Sequence, residues 1–283
     1  DHEGGASIMQ FPGDAFRFKA ARQLRKQGIR TLVEIDDNYL VRSPTFNRGW
    51  SKKITRDTVH SLDGHRKIAS EADGVIVATQ ALAAAYIKVN DSIYVCPNAI
   101  DPADWPRPLN LSAEDGIFRI GWFASPSHAP DEPLVRRALE WASRQPDVDV
   151  ILMGFSPTTW KFRYQQIPWS ELAVYRQLLS TLDVGLAPVR ESPWARCRSD
   201  IKALEYAMAE VCPVLSEAEP YRRWEHGKGC LKATTARDFQ RHIKTLVENR
   251  PLARELALEA RRYVLDERTI STGISAWEEA IAA

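Results

Sequence analysis

The sequence predicts an α/β fold, because short apolar runs alternate with longer amphipathic stretches along the whole chain. A length of 283 residues is enough for two ordinary domains. Between residues 101 and 115 the alternation is interrupted by Pro102, Pro106 and Pro108, a composition typical of a linker. We therefore expect two Rossmann-like lobes of largely parallel strands.

The first lobe is expected over residues 1–112. Its predicted elements, in order, are strand 7–11, helix 15–27, strand 31–35, a helix ending at 72, strand 74–78, helix 80–89 and strand 92–96. Gly28 follows the first helix and is a natural C-terminal cap. A complete doubly wound lobe usually has about five or six strands, so we expect this lobe to be reduced or truncated.

The second lobe is expected over residues 113–268, followed by a closing helix at 269–283 that packs back on the first lobe. Its predicted strands are 118–123, 148–153, 184–188 and 213–216. Its predicted helices, with the closing helix, are 132–144, 169–181, 199–209, 235–249, 251–264 and 270–282.

Composition excludes several classes of protein. Apolar residues make up 44% and charged residues 27% of the chain, which argues against wholesale disorder. A net charge of +1 argues against binding of nucleic acid by overall charge. The four cysteines include no C-x-x-C pair, and no His cluster completes a zinc site. No apolar run reaches the roughly 18–20 residues of a membrane span, and no signal peptide opens the chain, so we expect a cytoplasmic protein with reduced cysteines.

Basic residues crowd the predicted start of the helix at 199–209. Ser199 is a plausible N-cap, with Lys202 in the first turn and Arg196 and Arg198 just before it. Cations at a helix start oppose the helix dipole unless an anion is bound, so the pattern indicates a diphosphate site. Glu205 shares a face with Lys202 and could accept hydrogen bonds from ribose hydroxyls. The alternative is an ordinary Lys–Glu pair on a solvated face.

Two other strand ends are candidate ligand sites, because ligands of open α/β sheets bind beyond the carboxyl ends of the strands. Gly121 and Trp122 lie near the end of one strand, and Ser125 and His128 follow in its loop. A Gly there lets a ligand approach the backbone, although a Gly at a strand end is more often a structural residue. The strand end at 185–189 could read a nucleobase, or could be an ordinary buried strand.

Several segments together resemble GT-B glycosyltransferases of the family 4-like group. The donor-site signature of that family resembles residues 199–208 followed by 212–214. The segment that joins its two lobes resembles 72–79 and 95–101, and its first donor loop resembles 121–125. Residues 220–221 resemble the turn after the next strand, and 254–269 resemble its closing helices. The resemblance covers roughly residue 31 to the C-terminus.

The resemblance implies retaining transfer of a sugar from a nucleotide-sugar donor, with no cofactor and no essential metal. It implies that Glu205 holds the donor ribose and that Ser199 and Lys202 lie at the diphosphate. The other donor-binding residues that it implies are Gly121, Trp122, Ser125, Ala187, Val189, Arg196 and Arg198, and the strand-end loop adds His128. The family usually has a second Glu eight residues before the ribose-binding one, but this chain has Cys197 there. The identity of the sugar is therefore open.

Candidate general bases are expected on the acceptor side, in the first lobe. They are Asp37, His60 and His65. The carboxylates in the segment 34–38 could alternatively hold Mg²⁺ or Mn²⁺, but the resemblance argues against a metal. We therefore predict a strand-end turn or an acceptor contact there.

The acceptor is left open between a carbohydrate, a protein, a small molecule and a nucleic acid. A basic and aromatic segment from Arg42 to Lys67 suggests either a solvated surface or a polyanionic acceptor, such as a phage-type modified DNA base. Two other functions remain possible on this fold. One is a non-catalytic nucleotide-binding module, and the other is a nucleotide-sugar epimerase.

Overall fold

A computed structural model describes residues 6–10, 15–41, 64–105 and 111–283. The chain forms two compact units, each built on a parallel sheet. The first unit comprises Asp1–Asn98, Ser192–Ser199 and Ser271–Ala283, and the second comprises Ala99–Glu191 and Asp200–Ile270. The predicted α/β class with two largely parallel sheets is confirmed.

The first unit contains a sheet of four described strands in the order β1-β2-β3-β4. Its elements are β1 (Ala6–Gln10), α1 (Ala15–Lys26), β2 (Arg30–Ile35), α2 (64–71), β3 (Gly74–Val77), α3 (Gln80–Tyr86) and β4 (Ile93–Val95). Strand side chains alternate between two cores, as the pleat requires. Val33 and Val75 pack with Leu82 of α3 on one face, while Leu32 and Ile76 belong to the core of the other face.

The C-terminal helix α10 (Ile270–Ala282) covers that other face of the first unit. Ala276, Trp277 and Ala280 pack there against the sheet. The guanidinium of Arg30 donates to the carbonyl oxygens of Ala280 at 2.8 Å and Ile281 at 2.6 Å. The C-terminal segment, which is distant in sequence from the four strands, therefore completes the core of the first unit.

The second unit contains a parallel sheet of six strands in the order β10-β9-β8-β5-β6-β7. Its strands are β5 (Phe118–Ala124), β6 (Val148–Gly154), β7 (Gln165–Ile167), β8 (Val184–Ala187), β9 (Cys212–Ser216) and β10 (Leu231–Ala233). Its helices are α4 (Leu111–Asp115), α5 (Glu132–Ala142), α6 (Leu172–Leu179), α7 (Ile201–Met208), α8 (Ala236–Glu248) and α9 (Arg250–Glu267). Among the described residues, no helix has both the length and the apolar composition that a membrane span needs.

Strands β7 and β10 were not predicted from the sequence. Each has only three residues, which is too short to show a periodic apolar pattern. Both lie at the edges of the sheet, where one neighbouring strand supplies the pairing. Tertiary pairing therefore defines these strands.

The two faces of this sheet carry different helices. Phe118, Ile120 and Trp122 of β5 point into the core that includes residues of α5, α8 and α9. On the other face lies Gly185 of β8, where an added Cβ would come within 2.4 Å of the Tyr206 ring of α7. Glycine at this position lets α7 lie close to the strand.

A buried ion pair fixes the start of α7. The guanidinium of Arg268 donates two hydrogen bonds to the carboxylate of Asp200, at 2.6 and 2.9 Å. The indole of Trp224 donates a third at 3.1 Å. The Arg268 and Asp200 side chains are only 6% and 8% exposed, so losing either charge would leave the other buried without its partner.

Replacing Arg268 by Met is expected to destabilise the fold by about 3–5 kcal/mol, because it leaves the Asp200 carboxylate buried and uncompensated. Urea unfolding followed by circular dichroism measures the change. The matched control is Arg222→Met, which removes a pair with Glu219 whose Arg side chain is 67% exposed. The control should cost less than about 1 kcal/mol. Equal losses in the two variants would contradict the structural role of the buried pair.

Candidate functional site

The candidate site of the second unit lies at the carboxyl edge of its sheet, where open parallel sheets bind ligands. Strands β5, β6 and β8 end there at Ala124, Gly154 and Ala187. Helix α7 begins at the same edge, because it follows β8 and precedes β9, which pairs with β8 in parallel. The predicted donor residues of this unit lie in these segments.

Lys202 and Glu205 of α7 meet Tyr175 of α6, and we call these three residues the Lys202 cluster. Lys202 Nζ lies 3.0 Å from Glu205 Oε2 and 2.7 Å from the Tyr175 hydroxyl oxygen. The Tyr175 hydroxyl donates to the same Glu205 Oε2 at 2.7 Å. The Lys202 and Glu205 side chains are 20% and 14% exposed, so this charged cluster is only partly covered. A partly covered ammonium beside a carboxylate suits a ligand with both an anionic and a hydroxyl part.

The N-cap of α7 is Asp200, so the prediction that Ser199 caps this helix is wrong. The Ser199 hydroxyl instead accepts a hydrogen bond from the side-chain amide of Asn98 at 2.8 Å. Asp200 makes no side-chain cap bond, because Arg268 and Trp224 hold its carboxylate. Both side chains at the start of α7 are therefore bonded to residues outside the helix.

The loop after β5 is tied to the segment after β8 by a buried carboxylate. His128 Nδ1 lies 3.0 Å from Asp131 Oδ2, and the other oxygen of Asp131 accepts the backbone N–H of Arg190 at 2.8 Å. The hydroxyls of Ser125 and Ser127 lie 2.6 Å apart in the same loop. Asp131, which is 4% exposed, thus orients the loop that carries Ser125 and His128.

Gly121 and Trp122 lie inside β5 rather than in the loop. Trp122 is 1% exposed, and its ring packs on Phe155 and Trp160 at centroid distances of 5.1 and 6.4 Å. A Cβ on Gly121 would come within 2.3 Å of Leu182. Both residues support the strand end from within the core.

Ala187 and Val189 lie at the end of β8, and both are buried, with 4% and 6% exposure. The backbone N–H of Val189 donates to the Ser216 hydroxyl at 2.8 Å. The Tyr206 hydroxyl donates to the carbonyl of Leu186 at 3.1 Å. The side chains of Ser216 in β9 and Tyr206 in α7 therefore form hydrogen bonds with backbone groups at this strand end.

Arg196, Arg198 and Ser199 belong to the first unit, whereas Lys202 and Glu205 belong to the second. Arg196 is exposed. The guanidinium of Arg198 lies over the Trp194 ring, 4.7 Å from its centroid. A cation held on an aromatic face keeps its charge and a defined position.

Cys197 lies in the core of the first unit and is 4% exposed. Its thiol lies 3.3 Å from the side-chain nitrogen of Asn38, and its carbonyl accepts the hydroxyl of Thr79 at 3.1 Å. All four cysteines of the chain are free and buried. Where the resembling family has a carboxylate, this chain therefore has a core thiol whose pKa is raised by burial.

Acidic residues follow β2 in the first unit. Burial, together with the charge of Asp36, raises the pKa of Asp37 to about 6, and Arg198 opposes this shift. The Tyr39 hydroxyl donates to Asp36 at 2.9 Å, and the Tyr39 ring stacks on His65 at 4.2 Å. His65 is 6% exposed. The Asp36 carboxylate and the imidazole of His65 thus share Tyr39 as a neighbour.

His60, the third predicted base, lies outside the described residues, as do residues 42–63 of the basic segment from Arg42 to Lys67. Among the residues that the structure describes, no group of three or more His, Cys, Asp or Glu side chains is arranged to hold a metal ion.

No protein-family model matches the sequence, and no curated protein matches it by sequence comparison. Solved structures do match the fold. HepE of Anabaena, solved with UDP and glucose, is similar at a TM-score of 0.70 and 16% identity, over 98% of this chain and 78% of that one. Sucrose-phosphate synthase of Thermosynechococcus elongatus is similar at a TM-score of 0.66 and 14% identity, over 96% and 72%.

A trehalose-6-phosphate synthase, studied for glycosyl transfer with retention, is similar at a TM-score of 0.63 and 13% identity, over 97% of this chain and 72% of that one. These neighbours are GT-B glycosyltransferases. The chain has the GT-B fold. The fold that the resemblance implied is thereby confirmed.

Three residues near the carboxyl edge of the second unit's sheet were not predicted from the sequence, namely Asp131, Tyr175 and Ser216. Tyr175 lies 27 residues before Lys202 and 30 before Glu205. Asp131 lies 59 residues before Arg190, and Ser216 lies 27 residues after Val189. No local spacing rule pairs residues so far apart, so only the folded sheet brings them together.

Asp37→Asn is expected to stabilise the protein at pH 8 relative to wild type and to change its stability little at pH 4. The pKa of Asp37 is raised from 3.8 to about 6 in the folded state, so the folded protein favours the protonated side chain. The stability of wild type relative to the variant is therefore full below pH 3.8 and is lost as the pH rises through 6. The gain from the variant should grow by on the order of 1–3 kcal/mol between the two pH values.

Urea unfolding at both pH values measures this gain. The control is Asp91→Asn, since Asp91 is an exposed residue of the same unit. A gain from Asp37→Asn that does not grow with pH, or that the control reproduces, would show that burial of the Asp37 carboxylate is not costly.

Proposed function

We propose that the chain transfers a sugar from a nucleotide-sugar donor to an acceptor hydroxyl, with the donor bound by the second unit. The observation that carries the proposal is the Lys202 cluster, a partly covered ammonium and carboxylate at the carboxyl edge of a parallel sheet in a GT-B fold. HepE, which has a similar fold, binds UDP and glucose.

Lys202 and Glu205 bind different parts of the donor, the diphosphate and the ribose. Lys202 belongs to the first turn of α7, and its ammonium and the free backbone N–H groups of that turn both attract the diphosphate. Glu205, one turn further along the helix, accepts hydrogen bonds from the ribose hydroxyls. The other residues of the second unit proposed to lie at the donor are Ser125, His128, Ala187 and Val189, while Gly121 and Trp122 support the strand end from within the core.

The proposed reaction breaks the bond between the anomeric carbon and the diphosphate oxygen and forms a bond from that carbon to the acceptor oxygen. The leaving oxygen takes both electrons of the broken bond, so negative charge develops on the nucleoside diphosphate. A preorganised cation such as Lys202 can lower the barrier by several kcal/mol. The acceptor proton passes to a base of the protein. No metal or organic cofactor is part of this proposal.

Retention is the proposed stereochemical outcome. The trehalose-6-phosphate synthase with a similar fold has been studied for transfer with retention. The sugar contact differs from that of the resembling family, because the buried Cys197 thiol replaces the usual carboxylate. The acceptor class is best found by testing carbohydrates, proteins, small molecules and modified DNA side by side.

Asp37 is the proposed base, because its raised pKa keeps it a proton acceptor of useful strength near neutral pH. The value of kcat/KM is expected to rise with pH through about 6 and then level off, as the Asp37 carboxylate ionises. Asp37→Asn should reduce kcat by about 10²–10⁴-fold. A variant that stays fully active would exclude Asp37 and leave the His60 and His65 side chains as candidates.

Two other functions are compatible with the same fold. An epimerase would convert the nucleotide sugar without an acceptor, and a binding module would leave it unchanged. Incubating UDP-, GDP- and ADP-sugars with the protein, with and without acceptors, and separating the products tells the three apart. Transfer to any acceptor supports the proposal. An altered sugar still attached to its nucleotide supports the epimerase, while binding without any product supports the module.

Lys202→Ala and Glu205→Ala are each expected to weaken binding of a nucleoside diphosphate by about 10-fold or more, a loss of about 1.4 kcal/mol or more. Each variant removes a charge that contacts the donor. Calorimetric titration with UDP, GDP and ADP measures the effect.

The matched controls are Lys228→Ala and Glu225→Ala. These residues form a pair with the same sequence spacing at 2.9 Å, but both side chains are exposed, at 65% and 67%. The controls should bind as the wild type does. The donor-site assignment fails if the Lys202 and Glu205 variants bind as tightly as these controls.

A further inference from the structure

The Lys202 cluster uses only one oxygen of the Glu205 carboxylate. Both the ammonium of Lys202 and the hydroxyl of Tyr175 contact Oε2, at 3.0 and 2.7 Å. Within the described part of the chain, no donor is seen at Oε1 of Glu205. One carboxylate oxygen is therefore held by the protein, and the other can accept from a ligand.

Tyr175 is held more firmly than either charged residue. It is 4% exposed, and its ring packs against Phe123 and Trp169 at centroid distances of 6.0 and 6.1 Å. Burial and the nearby Glu205 charge raise the pKa of Tyr175 well above its ordinary value, so the hydroxyl keeps its proton. Tyr175 is thus a fixed hydrogen-bond donor to the carboxylate.

The Tyr175 hydroxyl also limits how the two charges pair. It accepts from Lys202 at 2.7 Å, and the ammonium lies 4.8 Å from the centroid of the Tyr175 ring. These contacts keep the ammonium on the Oε2 side of Glu205. Without the hydroxyl, the flexible Lys202 side chain could bridge both carboxylate oxygens, which would satisfy Oε1 internally.

The geometry points to Tyr175 as a positioning residue that reserves Oε1 of Glu205 for a ribose hydroxyl of the donor. Tyr175 acts through Glu205 and Lys202 and does not itself need to touch the donor. The inference rests on the proposed function, because it assigns the ribose of a nucleoside diphosphate to this carboxylate. It adds that the choice of ribose over deoxyribose depends on a residue of α6.

The test compares calorimetric binding of UDP and 2′-deoxy-UDP. The wild type is expected to bind UDP about 10-fold more tightly, since a carboxylate oxygen poised for a hydroxyl is left unpaired by the deoxy ligand. Tyr175→Phe keeps the ring and should reduce this preference to about twofold. The control is Tyr164→Phe, which removes the hydroxyl bonded to the Pro157 carbonyl at 3.3 Å and should leave the preference unchanged.

A double-mutant cycle adds a second readout. Glu205→Gln should also reduce the preference for UDP, and Tyr175→Phe in that background should reduce it no further, because both act on one carboxylate. Melting temperatures of all variants show whether they remain folded. Independent, multiplicative losses would overturn the positioning role.

The outcomes separate this inference from the proposed function. If the wild type binds no nucleoside diphosphate, the proposed function fails. If the wild type binds both ligands equally, or if Tyr175→Phe weakens UDP and 2′-deoxy-UDP by the same factor, the positioning role of Tyr175 is overturned while donor binding stands.

Discussion

The close contact between α7 and β8 is the constraint on which the candidate site depends. Gly185 leaves no side chain between the strand and the Tyr206 ring, and the Tyr206 hydroxyl is bonded to the Leu186 carbonyl. The helix is thereby held against the strand at Tyr206. Since Lys202 and Glu205 lie on the same short helix, their positions relative to the strand ends follow from this packing.

The start of α7 combines two opposite electrostatic arrangements. Asp200 lies at the N-cap, where a carboxylate is favourable, but Arg268 neutralises it in the interior. Lys202 in the first turn opposes the helix dipole and is balanced by Glu205 at the surface. The buried pair gives the helix a fixed origin. The partly covered pair remains available to a ligand, because its desolvation is incomplete.

The cationic side chains of Arg198 and Lys202, four residues apart in the sequence, have different surroundings. Lys202 contacts a carboxylate and a phenol, whereas Arg198 lies on the face of Trp194. Cys197, between Arg196 and Arg198, is turned into the core of the first unit. Ala195 and Cys197 are buried, while Arg196 between them is exposed. The short 3-10 turn at Ala195–Cys197 therefore directs alternate side chains into the core and to the surface.

The sequence by itself determined the α/β class, most of the longer elements and the segment that carries Lys202 and Glu205. These follow from local properties, namely apolar periodicity, strand-end glycines and charges at a helix start. It could not place the three-residue strands β7 and β10, the cap at Asp200, or the contacts of Tyr175 and Asp131. Those depend on partners 14 to 68 residues away, from the pairing of β7 with β6 to the bond of Arg268 to Asp200. Only the tertiary structure decided them, because pairing over such separations is set by the folded sheet and not by spacing along the chain.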